Sequence, residues 1–457
     1  MAVHPIDYRY GSEEMRRIWD EENKLQKLLD VEAALARAHA KVGNIPEESA
    51  RVISERGGNT KWVKLERVKE IEEEIHHDIM AVVKALSEVC GEHGKYVHLG
   101  GATSNDIIDT ANALLIKESL AIVERDLKEL RSILKKLAKE HKYTVCIGRT
   151  HGQHAVPTTY GMKFAIWLDE VQRHIDRINQ LKERVLVGQM SGAVGTMASF
   201  GERGLEIQRL VMEDLSLKPA RITNQIIQRD VYAELMMVLA LIASTLDKIA
   251  LEIRNLQRTE ILEVSEPFGK KQVGSSTMPH KRNPIRSEKV SGLARVLYSN
   301  VIPALLNNPL WHERDLTNSS VERVILPESF VLLDEMLKTT IKVLSGLEFF
   351  PPGNIKRNLY LTNNLIMAEP LMLKLTEKGM GRQEAHELVR QLAMKAFHEK
   401  RDLLEVVRES EEAMKYLTEE DLESLKPENY IGLAPQIVDN VIAFIEARER
   451  EEAIKGE

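Results

Sequence analysis

The sequence predicts an all-α protein organised around a long helical bundle, and three observations carry that prediction. The helix formers Leu, Ala, Glu, Lys and Arg dominate, while aromatic residues are only 5%. Three long stretches repeat apolar residues at three- and four-residue steps. No run alternates apolar and polar residues convincingly with the period of two that a half-buried strand needs.

Taken in order, residues 1–20 begin irregularly and enter a helix near Ser12. Residues 21–56 read as two helices parted by Gly43-Asn44-Ile45-Pro46, and Gly57-Gly58-Asn59-Thr60 is a second break. Residues 64–90 read as one charged amphipathic helix with Ile71, Ile75, Ile79, Val82 and Leu86 on its apolar face. His76, His77 and Asp78 fall in its middle, His77 off the stripe. Residues 96–105 form a polar loop with a Gly pair and a hydroxyl pair, and Asp106 opens a long helix.

That helix carries Ala113, Ile116, Leu120, Val123, Leu127, Leu130, Leu134 and Leu137 as a heptad seam. A second seam runs through Phe164, Leu168, Val171, Ile175, Ile178, Leu181 and Val185. A third runs through Leu235, Leu239, Ile242, Leu246, Ile249, Ile253 and Leu256. Such helices pack against near-parallel neighbours crossing at roughly 20°. Met236, Val238 and Leu241 lie off the third stripe, so this helix is expected to be buried on more than one side, within the chain or between subunits.

The pattern changes at the linker-like break Phe349-Phe350-Pro351-Pro352-Gly353-Asn354. Shorter helices follow, broken at Gly379-Met380-Gly381 and at Pro427. Three helical domains are therefore expected, at 1–105, 106–352 and 353–457, the middle one being the bundle.

A chain of 457 residues can bury a large core. A net charge of −7 argues against general nucleic-acid binding yet permits a local cationic pocket. Cys90 and Cys146 stand in no metal-ligand spacing and make no disulfide framework, as expected of a cytoplasmic protein. The segment Met1–Asp7 shows no signal-peptide pattern. No apolar run approaches the roughly 18 residues of a membrane span, so no membrane partner is expected.

Four polar segments punctuate the helices: 96–105, 148–160, 269–288 and 311–323. The third contains Gly274-Ser275-Ser276-Thr277-Met278-Pro279-His280-Lys281-Arg282-Asn283-Pro284. Its prolines bar a continuous helix, and its hydroxyls, cation and amide are the groups that chemistry on a loop uses. By composition alone, it reads equally well as a solvated connector. In the second segment, His151 and His154 lack the carboxylate or cysteine company of a zinc site, and acid/base work suits them better. In the fourth, Arg314 and Arg323 with Ser319 and Ser320 could clamp an anion, against the plainer reading of a solvated helix start capped by Asp315 or Asn318.

The eight fixed positions Gly274, Ser275, Ser276, Met278, Pro279, Lys281, Asn283 and Pro284 resemble the signature loop of the fumarase/aspartase superfamily. Within it, Arg9-Tyr10, His77-Asp78, Thr103-Ser104, Arg149 to His154, Gln225 to Asp230 and Trp311 to Arg323 occur in order from residue 9 to 323. Together they resemble the adenylosuccinate lyase family.

That resemblance implies a homotetramer whose active sites combine segments of three subunits. It implies purine nucleotide substrates, no metal and no cofactor. Two β-eliminations of fumarate in purine biosynthesis would follow, one from adenylosuccinate and one from the succinylated aminoimidazole carboxamide ribotide. It implies Ser275 as base and His151 as acid, with Lys281 and backbone donors around Gly274 stabilising the serine alkoxide. Lys281 and Asn283 would hold the succinyl carboxylates. His77 would be a second site histidine, with His76 and Asp78 beside it, and Glu288 an acidic residue acting on a site histidine. His98 would lie near the substrate phosphate. Arg9, Tyr10, Arg314, Ser319 and Arg323 would bind phosphate and ribose. Thr103, Ser104, Thr150, Gln225, Ser276 and Met278 would line the pocket. Between His98 and Thr103 stands Leu-Gly-Gly-Ala, one residue longer than in many members of the family.

The alternatives are another superfamily member, such as 3-carboxymuconate cycloisomerase or argininosuccinate lyase, and a non-catalytic helical scaffold. Arg9-Tyr10, the Thr-His-Gly-Gln-His run, Gln228-Arg229-Asp230 and Trp311 to Asp315 favour the purine reading over the first two. Intact Ser275, His151, Lys281 and Asn283 argue against the third.

Overall fold

The computed structural model describes residues 1–349 and 352–456. Phe350 and Pro351, inside the break read from sequence, lie outside the described residues. The chain forms two compact units, each assembled from three stretches. One comprises residues 1–128, 174–247 and 289–339, the other 129–173, 248–288 and 340–457.

The first unit opens with α1 (Glu13–Trp19), α2 (Glu21–Lys41), α3 (Glu47–Val52), α4 (Leu65–Ile75) and α5 (Asp78–Cys90). Ser12 and Asp20 start α1 and α2 by accepting the backbone N–H of Met15 and Asn23. The long helices follow: α6 (Ser104–Glu140), α7 (Tyr160–Val185), α8 (Gly204–Asp214), α9 (Asp230–Leu256), α10 (Ile285–Leu306) and α11 (Thr317–Ser345). The unit boundary falls inside α6, α7, α9, α10 and α11. Every residue of the three predicted seams is buried. At roughly 1.5–3 kcal/mol per fully buried large apolar side chain, these stripes are the main favourable term holding the rods. Off the third stripe Met236 is buried, but Leu241 is 44% exposed, and Met237 and Leu251 on the same helix are exposed too.

Residues 64–90 are not one helix. His76 takes a left-handed conformation (φ 55°) that ends α4, and His77 starts α5 by accepting the N–H of Met80 on Nδ1. The apolar stripe continues through the break because both helices pack on one cluster with Ile71, Val82 and Leu86, which hides the interruption from a periodicity count.

Strands are also present. An antiparallel hairpin joins β1 (Val145–Thr150) to β2 (Gln153–Thr159). Its period is obscured by a register shift between Ile147 and Arg149 and by Pro157 in β2. Two-residue pairs join β3 (Val187–Gly188) to β4 (Lys218–Pro219) and β5 (Val264–Ser265) to β6 (Glu348–Phe349).

In the second unit the shorter helices are α12 (Pro352–Leu359), α13 (Ala368–Glu377), α14 (Arg382–Glu399), α15 (Leu403–Arg408), α16 (Glu411–Met414), α17 (Glu419–Ser424) and α18 (Ala434–Gly456). Their buried Leu371, Leu375, Leu403 and Val407 form one cluster with Ile147 of β1, so this core anchors the base of the hairpin. Gly379 (φ 104°) falls between α13 and α14, and Pro427 opens a short 3-10 helix (Pro427–Asn429) between α17 and α18, so α-helices break where the sequence put breaks.

Candidate active site

In the second unit the hairpin presents His151. Thr150 pairs with Gln153, leaving His151 (φ 54°) and Gly152 (φ 73°) as a two-residue turn. Two successive left-handed residues match the primed turns whose twist suits a hairpin. The segment read as a loop before a helix is therefore a rigid β-turn with His151 and Thr150 exposed at its tip. Below the tip, Arg149 donates to Glu263 at 2.5 Å. Glu263 is fully buried and also accepts from the Tyr160 hydroxyl at 2.7 Å and the Asn358 amide at 2.9 Å. Burial, and then the Glu263 charge, push the Tyr160 phenol well up, so it stays a donor. His154 lies opposite Arg149, and burial, reinforced by Arg149, holds its imidazole below the usual value. The two histidines thus differ in environment, one exposed at a tip and one half-buried.

Residues 269–284 are irregular, and α10 follows at Ile285. Ser275 Oγ accepts the backbone N–H groups of Met278 (3.1 Å) and Thr277 (3.3 Å). These donors come from the C-terminal side of the serine rather than from Gly274. Asn283 donates to the Gly274 carbonyl at 3.0 Å, and Lys281 N–H donates to the Met278 carbonyl at 3.1 Å. Ser276, Met278 and Lys281 are exposed, and Glu288 is exposed in the first turn of α10. Lys281 forms no ion pair among the described residues. The buried Glu266 carboxylate accepts the N–H groups of Arg286 and Ser287, both at 3.0 Å, and so fixes the start of α10 and the exit of the loop. No hydrogen bond joins His151 to Ser275 among the described residues.

In the first unit a cavity of about 390 Å³ is lined by Asp78, Asn105, Arg314, Ser319 and Arg323, with Leu25, Leu28, Val68 and Ile79 as its apolar wall. Arg323 donates to Asp78 at 2.6 Å. Arg314 donates to Asn105 at 2.9 Å and to Gln225 at 3.1 Å. Behind them Arg229, 1% exposed, makes paired contacts with Asp109 (2.8 and 2.8 Å) and Glu322 (2.7 and 3.1 Å). This network stiffens the wall that carries Arg314 and Ser319.

Four predicted residues thus meet in the cavity, and Gln225 supports one of them. His76, His77, His98, Arg9, Tyr10, Thr103 and Ser104 are not among its lining residues. His76 and His77 are exposed at the α4–α5 break, and His77 Nδ1 stands 3.8 Å from Asp78. Arg9 and Tyr10 precede Gly11 and Ser12, whose N–H groups donate to Glu335 and Asp334 on α11. His98 pairs with Glu32 at 2.7 Å. Thr103 and Ser104 open α6, where the Thr103 N–H donates to Asp106 at 2.9 Å. The Gly pair between His98 and Thr103 fits tightly. A Cβ on Gly100 would come within 2.7 Å of the His39 ring, and one on Gly101 within 2.3 Å of Ser199.

Sequence reasoning missed Glu32, Asp109, Glu263, Glu266 and Glu322. The available signal was an acidic residue inside an apolar run, as at Val31-Glu32-Ala33, which demands a buried partner.

A lyase family model matches residues 7–298, and a model of the adenylosuccinate lyase C-terminus matches residues 364–441. The adenylosuccinate lyase of Pyrococcus abyssi is 87% identical over 98% of this chain and 99% of its own length. That of Pyrococcus horikoshii is 86% identical over the same shares. Among solved structures, a fumarate lyase from Mesorhizobium sp. BNC1 matches with a TM-score of 0.88 and 35% identity, over 97% of this chain and 99% of that one. A 3-carboxy-cis,cis-muconate lactonizing enzyme from Pseudomonas putida matches with a TM-score of 0.88 and 33% identity, over 96% and 98%. By sequence over nearly its whole length, the chain belongs to the adenylosuccinate lyase family of the fumarase/aspartase superfamily.

Proposed function

We infer that the chain catalyses the adenylosuccinate lyase reactions of purine biosynthesis. It eliminates fumarate from adenylosuccinate, leaving AMP, and from the succinylated aminoimidazole carboxamide ribotide, leaving the amino-carboxamide ribotide. The observation that carries this is the 87% identity, over 99% of its length, to an adenylosuccinate lyase. The muconate lactonizing enzyme shares the fold at far lower identity.

Ser275 acts as base. Its alkoxide takes the proton from the carbon beside a succinyl carboxylate, the C–N bond breaks, and His151 gives its proton to the departing nitrogen. Two backbone N–H groups already point at Ser275 Oγ. Hydrogen bonds to a charged form lower its free energy, so these donors favour the alkoxide. Lys281 and Asn283 meet the carboxylates of the carbanion, while Glu288 and His77 assist the proton transfers. Arg314, Arg323, Ser319, Arg9 and Tyr10 take the phosphate and ribose. His98 stands near the phosphate, and His76, Asp78, Thr103, Ser104, Thr150, Gln225, Ser276 and Met278 line the rest. An elimination of this kind needs stabilised negative charge and a proton donor, which these side chains supply without a metal or organic cofactor.

The working form is a cytoplasmic homotetramer of three-domain subunits with shared sites. Exposed Met237, Leu241 and Leu251 on α9 support burial against other copies. No helix among the described residues is long and apolar enough to cross a membrane.

The test is direct: purified protein is mixed with adenylosuccinate and ultraviolet absorbance is followed. Release of AMP and fumarate is expected, and their absence overturns the reading. Ser275→Ala and His151→Ala should each abolish turnover while leaving the fold intact. Mixing the two inactive proteins should restore activity if sites are shared between subunits.

A further inference from the structure

Glu32 is a buried charge that the reaction above leaves unused. It lies on α2 between Val31 and Ala33, both buried, and is itself 1% exposed. Its Oε1 stands 2.7 Å from His98 Nδ1, while its Oε2 is buried with no hydrogen-bond partner among the described residues. His98 is its one ion-pair partner among the described residues. An uncompensated charge is costly out of water, and the ring of His98, 2.7 Å from Oε1, is the group placed to offset it.

The ring is equally constrained. His98 has a left-handed backbone (φ 57°) and a side chain 14% exposed. Burial pulls its imidazole down, but the Glu32 contact, the Ala102 carbonyl and the more distant Asp106 charge together leave it raised. His98 heads the turn through Gly100 and Gly101 that delivers Thr103 and Ser104 to the start of α6. A fixed positive charge at that place suits an anionic group on the ligand.

We propose that Glu32 is a positioning residue for the lyase reaction, its buried carboxylate holding His98 as an oriented imidazolium that meets the substrate's phosphate. Glu32 touches no substrate and acts through His98. The proposal rests on the placement of His98 near the phosphate in the function proposed above.

The experiment compares E32Q, H98Q and the double variant with the wild-type protein, using adenylosuccinate as substrate across pH 6 to 9. E32Q should raise KM roughly tenfold, the scale of one charged hydrogen bond, with little change in kcat. The pH at which KM begins to climb should move down, because the imidazole loses the carboxylate that holds its proton. On the H98Q background, E32Q should add nothing. Equal effects of E32Q on both backgrounds, or an unmoved pH profile, would overturn the proposal. Wild-type kinetics in H98Q would overturn it while leaving the lyase function standing, whereas an inactive wild-type protein would overturn the function itself. If E32Q does not fold, the wild-type protein with isotope-labelled histidine decides: His98 should remain protonated at neutral pH, and a neutral ring there refutes the proposal.

Discussion

Asn283 donates its side-chain N–H to the carbonyl of Gly274 at 3.0 Å, nine positions back along the chain. This bond closes the loop that holds Ser275 and Lys281. Gly274 is required at its end of the bond, because a Cβ there would lie 1.7 Å from the Lys281 carbonyl oxygen. Gly274→Ala must therefore push the loop open and move both Ser275 and Lys281. Displacements near 1 Å at a reacting group cost roughly hundredfold in rate. We expect Gly274→Ala to lower kcat by about that factor, with thermal unfolding almost unchanged because the loop is exposed. Steady-state kinetics and calorimetry on one preparation check both halves.

The buried Arg229 network supports a second prediction, about stability. Arg229 and Asp109 are 1% and 0% exposed, and the guanidinium also reaches Glu322 and the Ile227 carbonyl. Removing one partner leaves buried charge uncompensated. Asp109→Ala is expected to cost about 3–5 kcal/mol, read from denaturant unfolding. Glu322→Gln should cost less, since burial already pushes the Glu322 carboxyl up despite Arg229. Because the network backs Arg314, Asp109→Ala should also weaken substrate binding. A stable Asp109→Ala protein with unchanged KM would show that Arg229 is held without it.

Two histidines give the 98–103 turn opposite pH responses. His39 accepts the Asn44 side-chain N–H on Nδ1 at 2.9 Å and donates from Nε2 to the Leu99 carbonyl at 3.1 Å, and it stacks on Phe200. Burial lowers its imidazole in the folded state. Its contribution is therefore present above the unfolded value of roughly 6.5 and is lost as pH falls through the lower folded value. His98 is raised, so its contribution is present below roughly 6.5 and is lost as pH rises through the folded value. Stability of this turn should peak near neutral pH. Hydrogen exchange of the 98–103 amides, corrected for intrinsic rates, should show protection falling on both sides, and a monotonic profile would contradict this.

Much of the fold was legible in periodicity, because the long helices bury one continuous stripe each and a 3.6-residue repeat reports that directly. What periodicity could not report was local backbone. The stripe from Ile71 to Leu86 runs on across the left-handed His76, since burial is shared by α4 and α5. The β1–β2 hairpin was hidden by its irregular register and by Pro157. Candidate site residues could be picked out where polar side chains stand in a motif, as at Ser275 and Arg323. It was not legible where support comes from distant acids: Glu263 beneath the His151 turn and Glu266 at the start of α10 make contacts that no local spacing encodes.

Arg323 supports the last prediction. Its guanidinium donates to Asp78 at 2.6 Å, yet its side chain is 64% exposed and that of Asp78 is 36% exposed. An ion pair so open to water is worth about 0–1 kcal/mol. A phosphate, carrying more charge and more acceptor oxygens than one carboxylate, can take Arg323 from Asp78 at little cost. Arg323→Ala should then raise KM by roughly ten- to hundredfold, the scale of a lost charge-assisted hydrogen bond, with kcat nearly unchanged. Arg323→Lys should recover only part, because an ammonium lacks the planar fork. Asp78→Asn frees Arg323 and relieves a weak competitor, so any change in KM from that source should stay within about fivefold. The KM of the wild-type protein should rise with ionic strength, and that slope should flatten in Arg323→Ala. A full loss of kcat in Arg323→Ala would instead place this cation at the reacting bond, away from the phosphate.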